Sequence, residues 1–163
     1  MPDIEHLSPD MQAFIERVGL YYARYGLPRI GGRILGLLIV AERPLTLDDI
    51  AGALQVSRAS VSTNVRLAVT YGFAEQVGVP GDRRDYYQFP ESGWDRALLI
   101  NIEAVKGLQA LAERGIASVG PDDAVARDRL EEMLEFSGVL LDDSYAMLEH
   151  WRTYRQARQK KRA

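Results

Sequence analysis

The sequence predicts a mainly α-helical protein with one small β-hairpin. Apolar residues recur at helical spacing through most of its 163 residues, as in helices that bury one face. Residues 73–89 instead hold two short runs on either side of a dense cluster of turn residues, which predicts the hairpin. The chain contains no cysteine, so disulfide scaffolds, thiolate zinc sites and cysteine nucleophiles are excluded.

Two helices are predicted before residue 42. Ser8-Pro9 is an N-cap followed by proline at the first helical position, and an apolar stripe then runs to Gly26, where the helix should end. Residues 28–41 are apolar nearly all round, so this second helix is expected in the middle of the core. Arg29 and Arg33 lie four residues apart, about one helical turn, near its start.

Two short helices and the hairpin follow in close succession. Thr46 and Asp49 have the spacing of a capping box that starts the first of these helices, and Ser57 caps the second. The predicted bounds are residues 47–54 and 58–71 for the helices and residues 73–77 and 85–89 for the strands. A short helix, a tight turn, a second helix and a hairpin form, in this order, a winged helix-turn-helix.

The remaining residues are expected to be helical. One helix is predicted over residues 91–119 and further helix over 122–158, where Gly138 leaves open whether there is one helix or two. Their apolar stripes exceed what one small domain can cover, which favours a homodimer. The predicted domains are an N-terminal dimerisation or core helix over 1–26, the winged helix-turn-helix over 27–90 and a C-terminal helical dimerisation region with a basic tail over 91–163.

The second helix of the short pair has a surface suited to DNA. On a helical wheel Val61, Val65 and Ala68 face inward, while a small, polar and basic row faces outward. Small residues let a helix enter the major groove, where Ser, Thr and Arg reach base edges or phosphates. The outward row is Ala59, Ser62, Thr63 and Arg66, and the predicted DNA-binding residues are Ser57, Arg58, Ser60, Ser62, Thr63 and Arg66. An ordinary amphipathic helix with a solvated polar face has the same pattern, so that alternative stays open.

The hairpin tip is the second candidate surface. Arg83 and Arg84 lie between Asp82 and Asp85. A guanidinium on a wing fits the narrow minor groove, where the potential is most negative, and a carboxylate can orient it through a bidentate pair. We predict that Arg83 and Arg84 contact DNA, with Arg84 in the minor groove, and that Asp82 orients the wing. The alternative is a surface turn whose charges neutralise each other.

These segments resemble the MarR superfamily of winged-helix repressors, and within it the GbsR-type branch. The stretch GLPRIGGRILGLLIV at residues 26–40 resembles the second helix of that branch, and residues 56–89 resemble its recognition helix and wing. The Asp-x-Arg pattern of the superfamily wing falls on Asp82 and Arg84. Phe89-Pro90 departs from the Leu-Thr that many members carry after the wing.

The resemblance implies a sequence-specific DNA-binding transcriptional regulator that represses a neighbouring gene or operon. Its terminal helices would form a homodimer and place two recognition helices one DNA turn apart on a palindromic operator. The other hypothesis is a winged-helix module for protein–protein interaction without direct operator recognition. A formal net charge of −3 would suit that second use.

Aromatic residues suggest a small-molecule effector site. The GbsR-type branch is associated with choline or betaine, and quaternary ammonium ions are bound by aromatic cages. Tyr22, Tyr25 and Trp94 are the predicted effector-binding residues. Packing within the core and the dimer interface is the alternative use of these side chains.

No catalytic, metal or cofactor site is predicted, so the protein is not expected to be an enzyme. His6 and His150 have no partner at ligand spacing, and the phosphate-binding glycine motifs are absent from the sequence. No signal peptide and no apolar run of membrane-spanning length is present, so a cytoplasmic protein is expected. Residues 152–163 hold six basic and no acidic residues, a run that either touches phosphate or forms a solvated helix end.

Overall fold

The computed structural model describes residues 7–161, and the chain divides into two compact units, Met1–Trp94 and Asp95–Ala163. The chain is mainly α-helical with a small antiparallel sheet, which confirms the predicted fold class. His6 and the last two residues of the basic tail lie outside the described residues. The predicted division of dimerisation and DNA binding among three segments stays a prediction.

Local sequence sets where the helices of the first unit begin. Its elements are α1 (Pro9–Ala23), α2 (Arg29–Val40), β1 (Leu45–Thr46), α3 (Leu47–Leu54), α4 (Arg58–Thr70), β2 (Glu75–Val77) and β3 (Tyr86–Gln88). Ser8, Thr46 and Ser57 each accept a hydrogen bond from the backbone N–H three residues later, over 3.3, 3.1 and 3.2 Å. Asp49 completes the capping box by accepting from the Thr46 N–H at 2.9 Å. The three predicted N-caps are therefore confirmed.

Helix α1 ends at Ala23, three residues before the predicted end at Gly26. The amides of residues 24–26 bond to carbonyls three residues back, which tightens the last turn. Gly26 then adopts a φ of +78°, and the Leu27 N–H reaches back to the Tyr22 carbonyl at 3.3 Å. Gly26 thus closes the helix as a left-handed C-terminal glycine, although the regular helix stops earlier.

Helix α2 lies in the middle of the core of the first unit, as predicted. Ile34 and Leu37 are completely buried, and α1 and α4 both pack against this helix. Ile39 is 38% exposed, so the helix is not covered all round as its composition suggested. Residues of α3, α4 and the sheet complete the cluster, among them Leu45, Ile50, Val61, Val65 and Ala74.

Glycines bring α1 and α2 into close backbone contact. A Cβ added to Gly32 would lie 2.9 Å from both the Cα of Gly19 and the carbonyl oxygen of Val18. One added to Gly36 would lie 3.1 Å from the Cα of Ile15. The two backbones therefore touch where larger residues would hold them apart.

The sheet has three antiparallel strands in the order β1-β3-β2. The sequence did not predict β1, whose residues Leu45 and Thr46 pair with Tyr87 and Tyr86. The wing strands are shorter than the predicted 73–77 and 85–89. At the first of them, the amides of residues 73 and 74 bond to the Ala68 carbonyl and close α4 instead of joining the sheet.

The second unit is a pair of antiparallel helices. Helix α5 (Gly93–Ser118) starts at the end of the first unit, and α6 (Ala124–Lys160) is one continuous helix through Gly138. At one end a Cβ on Gly115 would lie 2.8 Å from the Leu130 side chain. Nearer the other end, the Lys106 ammonium lies 5.8 Å from the centre of the Tyr145 ring. Residues 124–160 therefore form one helix and not two.

A buried carboxylate links the first turn of α5 to the C-terminal part of α6. Asp95, in the first turn of α5, is 6% exposed and accepts hydrogen bonds from Trp151 Nε1 at 2.9 Å and Arg155 Nη1 at 3.0 Å. Arg152 Nε adds a contact at 3.3 Å. The basic tail is therefore helical to Lys160, and its first two arginines hold α6 against α5. Among residues 7–161, no helix is both long and apolar enough to cross a membrane.

Replacing Gly32 by alanine should destabilise the first unit by about 1–3 kcal/mol, because the new methyl group must push α1 away from α2. Urea denaturation followed by circular dichroism measures this change. Gly52→Ala is the matched control, since nothing lies within 4 Å of its added Cβ. Alanine favours helix over glycine by about 0.5–1 kcal/mol, so the control should be slightly stabilised. Wild-type stability in Gly32→Ala would contradict the close contact.

Candidate nucleic-acid interface

The inner face of α4 is the one that the helical wheel predicted. Val61 and Val65 have no exposed surface, and Ala68 is 7% exposed. Asn64 is buried as well, also at 7%, and its Nδ2 donates to the Ser60 carbonyl at 2.9 Å. Residue 64 lies beside the inward row on the wheel but was not predicted to face the core.

The outward row of α4 is bonded to its own helix. Thr63 and Arg66 are exposed, whereas Ser62 is partly buried. The Thr63 hydroxyl donates to the Ala59 carbonyl at 3.2 Å. Arg66 donates from Nε to the Ser62 carbonyl at 3.1 Å and from Nη2 to the Ser62 hydroxyl at 3.3 Å. These are contacts within one turn of helix, so a base edge or phosphate can replace them without disturbing the fold.

The N-terminus of α4 combines a cap and an ion pair. Ser57 Oγ accepts a hydrogen bond from the Ser60 N–H, so the Ser57 side chain is the N-cap of the helix. Arg58 Nε lies 3.0 Å from Asp48 Oδ1 at the start of α3. Both side chains are about two-thirds exposed, at 64% and 69%, and such a pair adds little stability. Arg58 is therefore available to a stronger anion.

The wing arginine Arg84 is held in place by two neighbours. Its Nη2 lies 2.6 Å from Asp82 Oδ2 and its Nε 2.9 Å from the same oxygen, which is the predicted carboxylate–guanidinium pair. Its Nη2 also donates to the Tyr86 hydroxyl at 2.8 Å, and that hydroxyl donates to Asp82 at 2.8 Å. Tyr86 was not among the predicted site residues, although it lies only two residues after Arg84.

Charge within this cluster shifts the ionisation of all three groups. Hydrogen bonds from Arg84 and Tyr86 hold the pKa of the Asp82 carboxyl well below its usual range. The Asp82 carboxylate in turn raises the pKa values of the Arg84 guanidinium and the Tyr86 hydroxyl. Arg83 is exposed and makes no hydrogen bond or ion pair within residues 7–161. The tip is thus neutralised at Arg84 and not at Arg83.

Three of the predicted arginines meet at one cleft. Arg58, Arg83 and Arg84 line a surface cleft of about 240 Å³, whose other lining residues are Thr46, Leu47, Asp48 and Asp85. Ser62, Thr63 and Arg66 lie further along α4 and are not part of its lining. The structure therefore places the predicted DNA-binding residues in two groups, one at this cleft and one along α4.

The aromatic residues predicted to bind an effector do not all line one cavity. A cavity of about 210 Å³ lies among the end of α1, the start of α2 and the inner face of α4. Tyr22 lines it, whereas Tyr25 is 69% exposed with its ring centre 5.1 Å from that of Tyr21. Asn64 also lines it, and its buried Oδ1 accepts no hydrogen bond from any residue between 7 and 161.

Trp94 belongs to the junction after the wing. Its ring lies 6.2 Å from that of Phe73 and 5.4 Å from that of Phe89, centre to centre. A Cβ on Gly93 would lie 2.6 Å from the Phe89 ring, so glycine leaves the space that this ring fills. Pro90 is fully buried beside it. The Phe89-Pro90 departure is thus accommodated by aromatic packing.

Asp82 should stay ionised at pH values where an ordinary aspartate, with a pKa of about 3.9, is half protonated. Because its pKa is depressed in the folded wing, its contribution to stability is present above that ordinary value and is lost as the pH falls through the lower one. A ¹³C NMR titration of the carboxyl groups measures the midpoint. Arg84→Gln should return it towards the ordinary value, while Arg83→Gln should leave it unchanged. An ordinary midpoint in the wild type would refute the Arg84–Asp82–Tyr86 cluster.

Residues 7–161 contain no group of three or more His, Asp or Glu side chains that could hold a metal ion.

Comparison with known proteins identifies the family. A MarR family model matches residues 25–85, and a model described as MmpR5-like MarR family transcriptional regulator matches residues 92–154.

Individual relatives agree with these matches. HTH-type transcriptional regulator MmpR5 of Mycobacterium tuberculosis is 34% identical over 127 residues, or 77% of each chain. HTH-type transcriptional repressor OpcR of Bacillus subtilis is 31% identical over 84 residues, covering 52% of this chain and 44% of OpcR. A crystal structure of a transcriptional regulator matches with a TM-score of 0.83 at 30% identity, covering 89% of this chain and 99% of the other. Assignment to the GbsR-type branch stays a prediction, but the chain belongs to the MarR family of winged-helix transcriptional regulators.

Proposed function

We propose that this regulator binds operator DNA directly, with α4 in the major groove and Arg84 of the wing in the minor groove. The observation that carries the proposal is the cleft at which Arg58, Arg83 and Arg84 meet. Guanidinium groups from a helix N-terminus and a wing, brought to one surface, suit a DNA backbone phosphate and the groove beside it. The regulator is proposed to act in the cytoplasm as a repressor of a neighbouring gene or operon, and it needs no enzymatic step for this role.

The two groups of residues have different roles in this proposal. Ser62, Thr63 and Arg66 face away from the core and exchange their bonds within α4 for contacts with base edges. Ser57 and Ser60 lie at the N-terminus of α4, where the helix dipole and the first backbone N–H groups favour a phosphate. Their contacts set the position on the DNA, whereas those of Arg66 select the sequence.

Two copies of this surface are needed for tight binding. Residues 27–89 contain seven basic and six acidic residues, so one wing and helix-turn-helix has almost no net charge with which to attract DNA. Binding therefore depends on a few well-placed contacts, repeated in a second subunit on a palindromic operator.

Helix α6 supports the homodimer. Its most exposed apolar residues fall on one narrow stripe at about 100° per residue, opposite the face that packs on α5. They are Val125, Phe136, Val139, Met147 and Tyr154, each 57–66% exposed. A stripe this long on a monomer would be an unusual apolar patch, and a second copy of the helix is the proposed cover.

The cavity beside α4 supports a gated form of the same function. Among its lining residues none is charged, and the unpartnered Oδ1 of Asn64 offers one acceptor. The walls include the aromatic residues Tyr22, Tyr71 and Phe73, but no carboxylate that would balance a cation. A neutral apolar molecule with one hydrogen-bond donor therefore fits them better than a quaternary ammonium ion. Such an effector would contact the inner face of α4 and shift the population of DNA-binding conformations.

In a thermal-shift screen, a phenol should stabilise the wild type more than choline does and more than it stabilises Asn64→Leu.

Substitutions on the two surfaces should weaken DNA binding in different ways. The probe is the duplex that the purified protein enriches from a randomised pool, measured by fluorescence anisotropy at several salt concentrations. Arg66→Ala should cost about 1–3 kcal/mol and relax sequence preference, and Arg84→Ala should lower affinity by a similar amount. Arg83→Gln should weaken binding to all sequences and reduce the salt slope by about 0.9 per lost phosphate contact.

The matched control is Arg114→Ala, which removes an exposed arginine from α5 and should leave DNA affinity unchanged. No enrichment of any sequence would favour the protein–protein interaction module instead. Undiminished binding by Arg84→Ala would contradict the placement of Arg84 in the minor groove.

The homodimer is tested by sedimentation of the full chain. Phe136→Glu with Met147→Glu should convert a dimer to a monomer, because two charges per subunit would be buried in the apolar stripe. Glu135→Gln, on an exposed neighbouring position, is the control and should remain dimeric. A monomeric wild type at tens of micromolar would contradict this proposal.

A further inference from the structure

Arg33 is the side chain that connects α1, α2 and the turn of the helix-turn-helix. It starts from α2, and its Nε lies 2.6 Å from Glu16 Oε1 on α1. Its Nη2 donates to the carbonyl of Leu54, the last residue of α3, at 2.8 Å. Its side chain is 21% exposed, so most of it runs through the structure and not over it.

The path of this side chain depends on a glycine. A Cβ added to Gly19 would lie 2.6 Å from Arg33 Cγ and 3.0 Å from the Arg29 carbonyl oxygen. The aliphatic stem of Arg33 therefore crosses α1 at Gly19, where no side chain blocks its path. Glu16, one turn earlier on α1, is placed to meet its guanidinium.

The carbonyl that Arg33 binds belongs to a constrained turn. Gln55 follows Leu54 with φ 53° and ψ 48°, the left-handed conformation that residues with a side chain rarely adopt. Two residues later Ser57 caps α4. A charged donor on the Leu54 carbonyl stabilises this turn, and the turn sets where α4 begins.

Helix α1 meets this turn across a gap. A cleft of about 210 Å³ lies between Ile15 and Glu16 of α1 and residues 53–55 of the turn, and Arg33 is the charged residue on its α2 wall. The guanidinium thus links a helix to a turn that are separated by this cleft.

We infer that Arg33 is a positioning residue for DNA recognition, which holds the turn before α4 to Glu16 of α1 and so sets the N-terminus of the recognition helix. The inference rests on the proposed DNA binding, and Arg33 itself makes no contact with DNA in it. A movement of α1 is then transmitted to the recognition helix through one side chain.

The test compares four variants of the full chain. Arg33→Met keeps the stem and removes the guanidinium, Arg33→Lys keeps a charged donor, and Glu16→Gln weakens the contact with α1. Arg29→Met is the matched control, because Arg29 binds the same Glu16 carboxylate at 2.7 Å but is not bonded to the turn. Anisotropy with the enriched duplex gives affinity and salt slope, and hydrogen–deuterium exchange reports on the amides of residues 54–58.

Arg33→Met should lower affinity about tenfold, the loss of one hydrogen bond from a charged group, with an unchanged salt slope and faster exchange at the turn. Arg33→Lys should recover most of the affinity, Glu16→Gln should fall between them, and Arg29→Met should stay within twofold of wild type. Thermal unfolding of each variant, recorded beside the binding assay, confirms that it is folded at the assay temperature.

Affinity within twofold of wild type in Arg33→Met would overturn the inference. So would a salt slope reduced by about one, which marks a direct phosphate contact. If the wild type enriches no duplex, the proposed function fails, and exchange at residues 54–58 alone decides: unchanged exchange in Arg33→Met overturns the positioning role.

Discussion

The tight burial of α2 is the constraint on which the first unit depends. On one side its glycines bring it against the backbone of α1, with Gly32 over Gly19 and Gly36 over Ile15. Helix α4 packs against it as well, and the inner residues of α4 are fully buried. Since a close-packed core has little free volume, a change in the spacing of α1 and α2 must be passed on to α4. The orientation of the proposed DNA-binding surface therefore originates in the core.

The outer surface is organised differently at the wing and along α4. Arg84 is held by Asp82 and Tyr86, so its direction is set before any DNA is bound, and less conformational entropy remains to be lost on binding. The Arg66 guanidinium donates to Ser62 of its own helix, a contact that another hydrogen-bond acceptor can replace. A wing arranged in advance and an adaptable helix together fit the proposed combination of groove insertion and base recognition.

How well the sequence predicted each feature depends on the distance between the interacting residues. The caps at Ser8, Thr46 and Ser57, the inner row of α4 and the Asp82–Arg84 pair involve residues at most seven positions apart, and all were predicted. Strand β1 was missed, because two residues have no periodicity of their own and this strand exists only through pairing with β3. The single helix α6 could not be decided either, since a glycine inside a helix bends it in some settings and not in others.

The sequence by itself therefore determined the order of the helices, the capped starts of α1, α3 and α4, and which residues of α4 face inward, because short-range hydrogen bonds and helical periodicity depend on neighbouring residues. Only the tertiary structure decided that Arg33 crosses Gly19 to reach Leu54, that Tyr22 and Asn64 share a cavity, and that Arg58 meets the wing at one cleft. These contacts join residues far apart in the chain, and their geometry follows from the packing of α1, α2 and α4, which no local pattern specifies.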